Sequence, residues 1–203
     1  LIGAPLTGDP LTGAFNLLTN LTIDPRGTLL AAAGWEGKIY IWDLATRQLS
    51  GEPLSGHTDF VTGVSFSPDG NLLASASRDG QVLVWDMAKR RLAMDALHGH
   101  SERITSLDFS PNGDLIASGR RDQTLIVWDI NASPVISNTL TGHSEQINVV
   151  RFSPDGSRMA SGSADGKVIL WDVPGLARLQ IIQAHNERLS ALAFSPDGKL
   201  LAT

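Results

Sequence analysis

The 203-residue sequence has no cysteine, which rules out a disulfide framework, a thiolate nucleophile and a cysteine-based zinc site. That absence fits a reducing compartment, and a cytoplasmic location is expected. Nor is there an excess of positive charge: 16 Lys and Arg against 21 Asp and Glu leave a net charge of -5, giving no general attraction to nucleic acid or anionic lipid. No apolar run approaches the roughly 18 residues a membrane-spanning helix needs, so no such helix is expected within these residues. Helical periodicity is missing too. What remains is an ordinary balance of 42% apolar and 18% charged residues, enough in a chain of this length to bury a substantial core.

Against these absences stands a repeat. Trp42, Trp85, Trp128 and Trp171, each followed by Asp, are spaced 43 residues apart. The stretch "LSGHTDFVTGVSFSPDGNLLASASRDGQVLVWD" from Leu54 aligns without gaps to "LHGHSERITSLDFSPNGDLIASGRRDQTLIVWD" and "LTGHSEQINVVRFSPDGSRMASGSADGKVILWD". "LTGAFNLLTNLTIDPRGTLLAAAGWEGKIYIWD" from Leu11 keeps the register with altered key residues, and "IQAHNERLSALAFSPDGKLLAT" begins the pattern again. Within a copy the apolar residues alternate in short segments separated by Ser-Pro-Asp-Gly and Arg-Asp-Gly turns, where Pro presets φ and Gly accepts a positive φ. The less regular stretch after each Trp-Asp leaves room for one more strand. Four antiparallel strands per copy describe a propeller blade.

With Gly56-His57, Gly99-His100 and Gly142-His143 opening copies and Trp-Asp closing third strands, the chain resembles the WD-repeat (WD40) β-propeller family over essentially every residue. The expected fold is all-β: an incomplete propeller of four-stranded antiparallel WD40 blades, about four and two-thirds of them. Residues 1–13 are assigned to the outer strand of a preceding blade and 14–56 to a degenerate blade. Full blades follow over 57–99, 100–142 and 143–184, with a truncated one over 185–203.

A Ser, a His and an Asp suggest a nucleophilic triad, but an enzyme needs one such set and this chain repeats it. The resemblance instead implies structural tetrads, in which Asp accepts from His, His bonds the Ser hydroxyl, and Ser reaches the indole N–H. They are His57, Ser75, Asp79 and Trp85; His100, Ser118, Asp122 and Trp128; and His143, Ser161, Asp165 and Trp171. The first copy departs, with Ala14 for His, Ala32 for Ser and Glu36 for Asp, so that blade should be the loosest, or the one held by a neighbour outside these residues. Ala184 likewise replaces the Gly before His185.

Other signals read as ordinary turns and loops. "GSADGK" at 162–167 lacks the Gly-Lys-Ser/Thr ending of a phosphate loop, His98 and His100 have no third ligand nearby in sequence, and Lys89-Arg90-Arg91 fits a solvated outer loop. Asn20-Leu21-Thr22 and Asn131-Ala132-Ser133 match glycosylation sequons, of a kind common by chance. No catalytic residue, metal or cofactor is expected.

Specificity must then come from positions that vary between copies and face solvent. One precedes the turn acid: Trp35, Arg78, Arg121, Ala164. Another lies three residues after the opening His: Leu17, Phe60, Arg103, Gln146, Arg188. A third follows that His directly: Phe15, Thr58, Ser101, Ser144, Asn186. Aromatic and Arg residues are enriched in interface hot spots, which makes Trp35, Phe60, Arg78, Arg103, Arg121, Gln146 and Arg188 the candidate partner-binding set. The alternative for Trp35 is that it folds back into space left by Ala14 and Ala32.

Leu1 aligns with Leu44 and Thr203 with Ser75, so both ends fall inside a repeat. The expectation is an ordered portion of a longer chain, with an arc that closes by oligomerising as the alternative. "RQLSGEPLSGH", echoed by "LIGAPLTGDPLTG", resembles the connector of propellers fused to bacterial signalling NTPases of the NACHT and related (STAND) classes. That resemblance implies a ligand-sensing, autoinhibitory segment of a larger prokaryotic signalling or defence protein; a constitutive scaffold bridging partners is the alternative. The expected partners are a protein or peptide and the remaining blades and domains of a longer chain; neither membrane nor nucleic acid is favoured.

Overall fold

Alternating apolar residues between Pro/Gly turns leave each copy only one way to bury its side chains, as a small twisted sheet covered on both faces. The computed structural model describes residues 18–203; the strand expected over 1–13, with Ala14, Phe15 and Leu17, lies outside the described residues. In the first sheet β1 (Leu18–Ile23), β2 (Leu29–Gly34), β3 (Lys38–Asp43) and β4 (Gln48–Leu49) pair antiparallel in chain order, and β5 (Leu54–Ser55) also pairs with β3. The second holds β6 (Val61–Phe66), β7 (Leu72–Ser77), β8 (Val82–Asp86) and β9 (Arg91–Leu92). The third comprises β10 (Ile104–Phe109), β11 (Leu115–Arg120), β12 (Leu125–Asp129) and β13 (Ile136–Leu140). The fourth comprises β14 (Ile147–Phe152), β15 (Arg158–Ser163), β16 (Lys167–Asp172) and β17 (Ala177–Gln183), and β18 (Ala193–Phe194) pairs with β19 (Leu201–Ala202) in a fifth. These sheets have the antiparallel, chain-order strand arrangement expected of blades in an incomplete propeller, and no helix occurs among the described residues.

The core lies between blades. Ala31, Ile39 and Ile41 of the first pack on Val61, Phe66, Leu73 and Trp85 of the second. Ala74, Val82 and Val84 meet Ile104, Leu107, Ile116 and Trp128 in the same way, and Ala117, Leu125 and Val127 meet Ile147, Val150, Met159 and Trp171. Alanines and branched aliphatic residues of one blade meet aliphatic and aromatic residues of the next, so each interface is buried and apolar. Each fully buried Leu, Ile or Val contributes on the order of 1.5–3 kcal/mol.

A β-bulge recurs where each first strand meets its second: at Leu18/Asn20, Val61/Gly63, Ile104/Ser106 and Ile147/Val149. The residue between is Thr19, Thr62, Thr105 or Asn148. Freed from the ladder, it is aimed at the next blade. Thr62 Oγ1 donates to Ala76 O at 3.2 Å within its blade and to Ile104 O at 2.7 Å in the next. Thr19 reaches Val61 O, Thr105 reaches Ile147 O, and Asn148 Nδ2 donates to Leu189 O at 2.8 Å. This ladder sets the spacing of the inner strands.

Candidate functional site

In the second blade Trp85 Nε1–H donates to Ser75 Oγ at 2.8 Å, and His57 Nε2 meets the same oxygen at 2.8 Å. His57 Nδ1 contacts Asp79 Oδ2 at 3.0 Å, which fixes Nδ1 as the protonated nitrogen. Burial works to raise the Asp79 pKa, but His57 and the amides of Thr58 and Gln81 outweigh it and hold the carboxyl below its usual value. The fourth blade repeats the set: Trp171 and His143 each lie 2.9 Å from Ser161 Oγ, and His143 Nδ1 lies 3.1 Å from Asp165 Oδ2. Glycine precedes these histidines because a Cβ at Gly56 would sit 2.9 Å from the Trp85 ring, and one at Gly99 2.8 Å from Trp128. Ser75 and Ser161 are fully buried, so no substrate reaches their hydroxyls.

The third blade corrects the expected pattern. His100 and Trp128 bond Ser118 at 2.6 and 2.9 Å, but Asp122 does not join them. Arg120, standing where the neighbouring blades have Ser77 and Ser163, takes the carboxylate in an ion pair and also donates to Ser101 Oγ at 3.1 Å. His100 Nδ1 is left buried without a hydrogen-bond partner, as is Arg120 Nε. Burial and the Arg120 charge push the His100 pKa down to about 3, so the imidazole is neutral.

In the first blade Ala32 offers no acceptor, and Trp42 Nε1 is buried with no partner. Ala32 packs with Tyr40 and Trp42, and Glu36 pairs at the surface with Lys38 at 3.3 Å. At the opening of the fifth, His185 Nε2 lies 2.8 Å from the Thr203 hydroxyl, the position equivalent to Ser75.

The variable positions come together on one face. Arg78 N–H donates to Phe60 O at 2.9 Å, Arg121 N–H to Arg103 O at 3.3 Å and Ala164 N–H to Gln146 O at 2.9 Å, so two of the three variable sites in the second, third and fourth blades are cross-strand neighbours. Trp35 does not fold back into the first blade. It stacks on Phe60 of the second, with ring centroids 4.7 Å apart and 13° between planes, and remains 40% exposed. The Arg78 guanidinium lies 4.6 Å from the Phe60 ring centroid, completing a Trp–Phe–Arg ladder. Beside it opens a cavity of about 310 Å³ whose lining includes Arg78, Arg103, Gln146 and Arg188 together with Thr62 and Thr105. Trp35, Phe60 and Arg121 do not line it.

Among the described residues no three His, Asp or Glu side chains are grouped as metal ligands would be. The repeated geometry has a match outside this chain: the family model for the WD domain, G-beta repeat, fits residues 10–43, 48–86, 93–129, 135–172 and 177–203. The chain belongs to the WD-repeat family. A comparison with curated proteins gives no match. WD-repeat domains are in general non-catalytic modules that bind proteins or peptides.

In this WD-repeat chain the inner strands also line a groove of about 390 Å³, which includes Ser65, Asp108, Asn148 and Arg151. Burial raises the Asp108 pKa to about 6, against the opposing pull of Arg151 and the Phe152 amide, which donates to Asp108 Oδ2 at 3.0 Å. Sequence reasoning did not single out the bulge residues, although Thr19, Thr62 and Thr105 recur at the repeat spacing. Nor did it see what Arg120 does, although an Arg where the copies on either side have Ser77 and Ser163 was visible.

Proposed function

We propose that this WD-repeat chain binds a protein or peptide on the face that carries Trp35, Phe60, Arg78, Arg103, Arg121, Gln146 and Arg188. The observation that carries the reading is the exposed Trp35–Phe60–Arg78 ladder beside an Arg-lined cavity, assembled from the positions that vary between otherwise similar blades. The Ser, His and Asp sets work as fasteners, and the chain is not an enzyme.

In the larger setting the propeller is the ligand-sensing, autoinhibitory segment of a cytoplasmic signalling or defence protein of the NACHT or STAND class. The support is the "RQLSGEPLSGH" connector and the absence of cysteine. Binding on the variable face would change how the propeller sits against its parent protein.

The test is affinity for a captured partner after Trp35→Ala, Arg78→Ala and Arg121→Ala. Loss of binding with an unchanged melting temperature supports the proposal; unchanged affinity in all three removes this face from consideration. A pull-down with and without the trigger separates sensor from constitutive scaffold, because a scaffold keeps its partners in both.

A further inference from the structure

We propose that the cavity lined by Arg78, Arg103 and Arg188, with Arg121 beside it, receives the carboxylates of an acidic peptide segment. This inference rests on the protein-binding reading of the same face and specifies the chemistry of the partner. The first support is the composition of the wall. Three guanidinium groups from the second, third and fifth blades line one cavity of about 310 Å³, and no carboxylate lines it. In a chain of net charge -5, that convergence is made by the fold and not by composition.

The second support is that no carboxylate among the described residues neutralises these groups. Among the described residues Lys38, Lys89 and Arg120 form ion pairs with nearby acids, whereas Arg78, Arg103, Arg121 and Arg188 form none. Arg103 is half-buried, and its Nε is buried without a hydrogen-bond partner. Burial and the nearby Arg121 and Arg78 charges bear against its protonated form and outweigh the opposing pull of Glu102. A desolvated guanidinium beside two like charges is an unfavourable arrangement that an anion in the cavity would relieve.

The third support selects the class of anion. Asp59, Glu102, Glu145 and Glu187 each sit one residue before the variable position of their blade, exposed and outside the cavity lining. A continuous polyanion such as a nucleic acid would lie across this acidic rim. A peptide side chain reaches past it, and the Trp35–Phe60 stack offers an apolar wall for the residues flanking the acid.

The experiment is selection of a random peptide library, displayed on phage, on the full chain, followed by fluorescence anisotropy with a selected peptide. The expected result is enrichment of Asp and Glu, affinity that falls with added salt, and weakening by about tenfold or more in Arg103→Gln and Arg188→Gln. Lys89→Gln, far from the cavity lining, should leave affinity unchanged, and Glu102→Gln should tighten it. Selected peptides without acidic enrichment, bound equally by the Arg variants but weakened by Trp35→Ala, would overturn the carboxylate assignment and leave the binding face standing. No selected peptide, or peptides indifferent to Trp35→Ala and to every Arg variant, would overturn both. Displacement of the peptide by single-stranded DNA at lower concentration than by unlabelled peptide would overturn the choice of a carboxylate ligand.

Discussion

Arg120 and Asp122 pair in the third blade, and the carboxylate that meets a histidine in the second and fourth blades faces a guanidinium instead. The substitution leaves two buried nitrogens without partners, His100 Nδ1 and Arg120 Nε. A buried unsatisfied donor costs on the order of 1–3 kcal/mol, so this blade holds an uncompensated cost that its neighbours lack.

Arg120→Ser should release Asp122 to accept from His100 Nδ1–H. Stability is expected to rise by about 1 kcal/mol. The His100 pKa, depressed to about 3, should climb because a repelling cation is replaced by an attracting carboxylate. A histidine titration by NMR reads the second effect, and a pKa that stays put would mean Asp122 does not turn.

Ser75→Ala removes one oxygen that serves both Trp85 and His57. A loss of about 1–3 kcal/mol is expected, lowering the melting temperature by several degrees. Calorimetry checks it; a change of a few tenths would show that the tetrad is dispensable.

Ala32→Ser in the first blade runs the other way. Ala32 pairs with Tyr40 as Ser75 pairs with Leu83, so a hydroxyl there can accept from Trp42 Nε1 and donate to Tyr40 O. A gain of about 1 kcal/mol is expected in a denaturant melt.

Gly166 has φ +73, and an added Cβ would lie 2.2 Å from His185 O of the next blade. Gly166→Ala should therefore cost at least about 2 kcal/mol, through both strained backbone and displaced loop. Gln123 occupies the equivalent turn position at φ 75, so Gln123→Gly should stabilise by up to about 1 kcal/mol.

Asp108 supplies the pH prediction. Its folded pKa of about 6 lies above the unfolded 3.8, so the folded state holds the extra proton between these values. The contribution is fully present below about pH 4 and is lost as pH rises through about 6. Asp108→Asn keeps an acceptor for the Phe152 amide and should stabilise by on the order of 1 kcal/mol at neutral pH, with no gain near pH 4. Paired denaturant melts at the two pH values decide it.

Much of the fold was legible because each blade is a local object. The 43-residue spacing of Trp42, Trp85, Trp128 and Trp171, the Ser-Pro-Asp-Gly turns and the alternation between them depend on near neighbours in the chain. Partners that vary with a single side chain were harder to see. Asp122 stood in the right column, yet a longer, charged neighbour captured it, because a permanent guanidinium outcompetes a neutral imidazole for a carboxylate.

The sequence by itself determined the all-β repeat, the turns and the columns of residues free to vary, since period, turn chemistry and small-versus-large alternation act over short stretches. Only the tertiary structure decided that Trp35 stacks on Phe60, that bulged Thr62 ties its blade to Ile104, and that Arg78, Arg103 and Arg188 share one cavity. Those contacts join separate blades, and their geometry depends on how each sheet twists and packs on the next.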